Sequence, residues 1–168
     1  PRRSARWPLA ESWHTLSRED RAEALELAAA QTGRAPHLLE KDVWVVWVLS
    51  AIDQSPLANK LTFKGGTSLS KAYKIIDRFS EDIDLTCDIR EIAPDLLRHG
   101  NPIPETASHA KKISDHVRAR LPMWIEREVM PMLREALERD GLQSSLTLAG
   151  LERNKLLFNY SPIKRGMG

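Results

Sequence analysis

The stretch from Phe63 to Leu85, FKGGTSLSKAYKIIDRFSEDIDL, constrains the fold of this chain more than any other part of it. A short apolar run ends in Gly65-Gly66-Thr67-Ser68. Leu69, Ala72, Tyr73 and Ile76 then recur at helical spacing, and a second run carries Asp82 and Asp84. That order predicts a strand, a tight turn, a helix over 67–76 and a strand over 83–87. Residues i and i+2 of a strand point to the same side, so the two aspartates are expected to converge, with Ile83 and Leu85 on the opposite face. A convergent pair of carboxylates suits a hard divalent cation, Mg²⁺ or Mn²⁺, which takes oxygen ligands and is commonly bridged to phosphates. The glycines lie before a helix, where backbone N–H groups and the positive helix end favour an anion. With no side chain at Gly65 and Gly66, a phosphate can approach the backbone closely.

Taken singly, each motif has a plainer meaning. A Gly-Gly is more often an ordinary turn, and an Asp-x-Asp is usually a solvated strand edge. Their combination and order raise the reading to phosphoryl or nucleotidyl transfer. The G-x-x-x-x-G-K-[ST] spacing of a P-loop is absent, as is the G-x-G-x-x-G of a dinucleotide site.

The segment FKGGTSLSKAY…RFSEDIDL closely resembles the signature of the polymerase-beta-like nucleotidyltransferases, and more narrowly the AbiEii/AbiGii family of bacterial toxin–antitoxin and phage-defence toxins. Leu39-Glu40-Lys41-Asp42, opening a Trp- and Val-rich helix, is also similar to that family. The resemblance implies an α+β fold, a small mixed sheet flanked by helices after an N-terminal helical segment. It places Asp82 and Asp84 as catalytic metal ligands. The backbone of Gly65 and Gly66 and the hydroxyls of Thr67 and Ser68 would hold the phosphates of an NTP. Lys71, one turn on, would add a charge there or be an ordinary exposed lysine. The implied acceptor is an RNA, with the tRNA 3′ end in view, and the implied protein partner is an antitoxin. A third carboxylate is implied on a strand beyond Leu156–Tyr160, and the sequence stops at Gly168 before one appears. The expectation is one domain, 1–168, with a helical part over 1–58 and a catalytic core over 59–168 that lacks its C-terminal portion. The alternative function is an inactive remnant that binds nucleotide or a protein partner.

Size and composition agree with one globular domain: 168 residues, 42% hydrophobic and 29% charged. A net charge of +2 does not mark a strongly basic nucleic-acid binder. Cys87 is the single cysteine, which excludes an internal disulfide and fits a reducing, cytoplasmic compartment. No metal-ligand or catalytic spacing accompanies it, so packing is its expected role. No run approaches the ~18 apolar residues of a membrane span, so no membrane partner is expected.

Elsewhere, Ser17-Arg18-Glu19-Asp20 reads as a helix start and Thr32-Gly33 as its end. A buried helix is expected from about His37 to Ala51, with Trp44 and Trp47 sharing a core face. Residues 88–103 read as a long connection with a helical turn. From 105 to 139 an apolar stripe runs through Ile113, Val117, Leu121, Ile125, Val129, Leu133 and Leu137, which Pro122 and Pro131 must kink or split. The basic residues along it read as a solvated face, with an RNA-contacting face as the minority reading. Alternation around Ala149-Gly150 predicts a β-hairpin that ends near Tyr160.

Overall fold

A computed structural model describes residues 13–64, 82–96, 104 and 106–163. Helix α1 spans Arg18–Thr32 and α2 spans Pro36–Asp53. Strands β1, Leu61–Lys64, and β2, Asp84–Cys87, pair as a two-stranded sheet. A short helix α3, Ile89–Ile92, follows, then α4, Ala107–Trp124, and α5, Met130–Arg139. Strands β3, Ser144–Ala149, and β4, Lys155–Tyr160, form a second pair. This is the α+β architecture expected, with small antiparallel sheets among helices. The helix expected over 67–76 lies outside the described residues.

The chain divides into two compact units. One comprises residues 1–58, 63–85 and 160–168, and the other 59–62 and 86–159. In the first, α1 begins where the Ser17 hydroxyl accepts the Asp20 N–H at 3.0 Å and donates to the Asp20 carboxylate at 2.8 Å. It ends at Gly33, whose φ of 70° is the left-handed conformation that favours glycine and whose N–H reaches the Ala29 carbonyl. Pro36 then opens α2, where its fixed φ is preorganised and its missing N–H costs nothing. Leu25 of α1 and Val45, Trp47 and Ile52 of α2 are buried together with Trp44. The Trp44 ring lies 4.7 Å from His14, 6.1 Å from Trp47 and 5.0 Å from Tyr160, so the paired tryptophans are core, as their spacing predicts.

Glu40, also on α2, is only 2% exposed. Both its carboxylate oxygens accept the backbone N–H of Ile163, at 2.9 and 3.1 Å. Arg18 donates to the Pro162 carbonyl at 2.9 Å. With the Trp44–Tyr160 stack, these bonds fasten residues 160–163 to the α1–α2 pair.

In the second unit the helical turn expected within 88–103 is α3, capped by the Asp88 carboxylate, which accepts the Arg90 N–H at 2.9 Å. From α4 to α5 the backbone stays helical, and the expected interruption falls between the prolines. Ile125–Val129 form a wider π turn in which the Met130 N–H reaches back to the Ile125 carbonyl. Pro131 has no N–H for the carbonyl four residues earlier, and its ring crowds that carbonyl, so the turn opens rather than breaks. Ile113, Ile125, Val129, Leu133 and Leu137 of the predicted stripe are buried. The β3–β4 hairpin closes through Gly150, at φ 88°, and the Arg153 N–H to Gly150 carbonyl bond. Arg153 also pairs with Glu126 of the π turn.

Candidate functional site

The two strands around the signature segment position the acidic residues. The Asp88 N–H bonds the Lys60 carbonyl at 3.0 Å, just before β1 begins and just after β2 ends. An antiparallel ladder with that register sets Lys64 across from Asp84. Lys64 is the residue before Gly65, so β1 ends one residue short of the Gly-Gly pair, at the end of the sheet where β2 starts with Asp84. Gly65, Gly66, Thr67, Ser68 and Lys71, the expected phosphate-binding residues, themselves lie outside the described residues.

Asp84 opens β2, whereas Asp82 stands two residues earlier, outside the ladder. The strand is thus shorter at its start than its sequence predicts, and the pleat alone does not dictate where Asp82 points. Both carboxylates are exposed, Ile83 is half-buried, and Leu85 is 37% exposed. With a single neighbouring strand among the described residues, this short sheet buries little, and both acids stay in contact with water. Among the described residues no group of three or more His, Cys, Asp or Glu is placed to hold a metal. Two carboxylates nonetheless fit Mg²⁺, which keeps several waters and completes its shell with substrate phosphates.

At the end of β2, Cys87 is half-buried and its thiol lies 3.5 Å from the Asp88 carbonyl. Burial, reinforced by Glu91 and Asp88, pushes its pKa up to about 11, so it stays a neutral thiol at physiological pH. The packing role expected of it fits. The neighbouring Asp88 is held by the Arg90 guanidinium, which donates from Nε and Nη2 and lowers the Asp88 pKa to about 2. Lys60 pairs with Glu91 at 2.6 Å, which raises the lysine pKa.

A feature without a sequence signal is a cleft of about 200 Å³ in the second unit, between α3 and the end of α4. Glu91, Arg120, Met123, Trp124, Arg127 and Glu128 line it. Arg120 is committed to Asp95, to which its Nη1 and Nη2 groups both donate and whose pKa it lowers. Widely separated residues meet here, so only the fold reveals the cleft.

Among the described residues, no helix is long and apolar enough to cross a membrane. A family model described as "Nucleotidyl transferase AbiEii toxin, Type IV TA system" matches residues 47–163, from within α2 to the residue bonded by Glu40. No curated protein and no solved structure gives a significant match. The family match covers well over half of the sequence and includes both β1 and β2, and the chain belongs to the AbiEii nucleotidyltransferase toxin family.

Proposed function

We propose that this toxin-family chain transfers nucleotides from an NTP to an RNA acceptor in a metal-dependent reaction, and that an antitoxin restrains it. The supporting observation is the exposure of Asp82 and Asp84 where β2 begins, opposite the strand end that leads into Gly65-Gly66. Neither carboxylate is buried, Asp82 stands outside the ladder, and the Asp84 side chain makes no hydrogen bond or ion pair among the described residues. In the proposal, Asp82 and Asp84 hold Mg²⁺ or Mn²⁺, which when bound neutralises charge on the phosphates during in-line displacement. Gly65 and Gly66 offer backbone N–H groups to the outgoing phosphates, with the Thr67 and Ser68 hydroxyls and the Lys71 ammonium beside them. The acceptor hydroxyl attacks the α-phosphate, its proton is released, and pyrophosphate leaves. The tRNA 3′ end is the acceptor to test first.

The experiment incubates the protein with each labelled NTP, Mg²⁺ or Mn²⁺, and tRNA. Label on RNA that disappears with Asp82→Ala is the expected result. No label in any combination, or equal label with Asp82→Ala, overturns the reading. A nucleotide titration run in parallel identifies the alternative, a fold that binds NTP without turnover.

A further inference from the structure

We infer that the exposed basic side of α4 and the cleft at its end form a surface for single-stranded RNA, with phosphates along the helix and one base in the cleft. This rests on the reading of the chain as an RNA nucleotidyltransferase and states where, within the second unit, the acceptor is held. Charge is unevenly spread along the helical run. Helix α4 carries Lys111, Lys112, Arg118 and Arg120 against Asp115 alone, whereas Arg127, Arg134 and Arg139 further on stand among Glu126, Glu128, Glu135 and Glu138. Lys111 and Arg118, seven apart, share one stripe of the helix. Lys112, His116, Arg120 and Trp124 follow at steps of four and form a second, from a lysine to the tryptophan of the cleft.

Lys111, Lys112 and Arg118 are exposed, and neither they nor Arg127 make an ion pair among the described residues. Unpaired surface cations are common and select no ligand by themselves. The cleft supplies the second observation. Two of its charges are already engaged, Arg120 with Asp95 and Glu91 with Lys60. The half-exposed Trp124 indole, the Arg127 guanidinium and the Glu128 carboxylate, which also lies within electrostatic reach of Lys60, complete the polar and aromatic lining. A base can stack on the indole, and its amino groups can donate to the carboxylate. The lysines and Arg118 then meet the backbone phosphates, which carry affinity without reading sequence. An acidic protein segment would also be drawn to α4, but it would meet Glu91 and Glu128 in the cleft and have no use for the tryptophan. Charge and aromatic placement together favour RNA.

Fluorescence anisotropy tests this with the full chain, a labelled single-stranded RNA oligonucleotide and, separately, labelled polyglutamate, each over a range of salt. Replacing Lys111, Lys112 and Arg118 together by glutamine is expected to weaken RNA binding about tenfold or more. It should also flatten the salt dependence by about 2 in log–log slope, as loss of three phosphate contacts on a single strand predicts. Trp124→Leu keeps an apolar side chain without the aromatic face and is expected to weaken binding about fivefold or more with the salt slope unchanged. If that variant melts early, Arg127→Gln at an exposed position replaces it, with about threefold weakening expected. Wild-type affinity and slope in the folded triple variant overturn the inference. So does polyglutamate binding as tight as RNA binding and equally sensitive to the triple change. Asp84→Asn separates the two readings: it should retain RNA binding while transfer is lost. RNA bound at α4 with no transfer by the wild type sinks the proposed function alone. Transfer by the wild type with normal RNA binding in the triple variant sinks only the surface.

Discussion

Glu40 and the pair Asp82 and Asp84 are carboxylates of the same compact unit, one 2% exposed and two open to water. Glu40 spends both oxygens on the Ile163 N–H and is enclosed by the helix pair. The Asp84 side chain, in contrast, makes no hydrogen bond or ion pair among the described residues. Burying a carboxylate is costly unless it is hydrogen-bonded, so Glu40 is kept for what it holds in place. Leaving an acid at the mouth of a strand costs the fold little, so its removal should be felt in chemistry rather than in stability. On the proposed function, the contrast separates an acid that builds the molecule from acids that equip it.

Asp84→Asn puts the contrast under the greatest strain. A metal clamp on a transferring phosphoryl group contributes several kcal/mol, so transfer should fall about 100-fold or more. The melting temperature should stay within a degree or two, read by calorimetry on the same samples. A large drop in melting temperature would show that Asp84 is a structural acid after all. Glu40→Ala should do the reverse. It leaves the Ile163 N–H without its acceptor, and unfolding by urea should show a loss of about 1–3 kcal/mol. Amide exchange at Ile163 should speed up at the same time. Unchanged stability and unchanged exchange would mean that Glu40 anchors nothing.

The smallest effect concerns Asp88, a third kind of acid, half-exposed yet used by the fold. Its pKa of about 2 lies below the ordinary 3.8, because Arg90 stabilises the carboxylate. The stability it adds is fully present above about pH 4 and fades as the pH falls toward 2. Thermal melts of wild type and Asp88→Asn should therefore differ near neutrality and converge near pH 2. A gap that persists at pH 2 would assign the effect to something other than the charged cap.

Much of this was legible along the chain, and the rest was hidden for identifiable reasons. Ser17, Gly33 and Pro36 act on their own neighbours, so the limits of α1 and the start of α2 follow from local chemistry. The hairpin around Gly150 is local in the same way. Glu40 is different: its partner is a backbone N–H far along the chain, and backbone groups leave no trace in residue type. The wide turn between Pro122 and Pro131 was expected only as an interruption, since a proline forbids one bond without stating which alternative replaces it. The i, i+2 spacing that points Asp82 and Asp84 to one side holds only within a strand, and β2 starts at Asp84. The cleft beside Trp124 required α3, which a proline-bearing stretch discloses only as a turn.

The bond from Ile163 to Glu40 also sets a timetable for synthesis. A chain made from its N-terminus completes α1 and α2 long before Ile163 exists, and at 5–20 residues per second the interval is roughly ten seconds. During that time the helix pair lacks the backbone donor that Glu40 takes in the finished molecule, and Trp44 lacks Tyr160. The first unit therefore cannot close segment by segment as its helices are made, and its last step waits for the residues that follow β4.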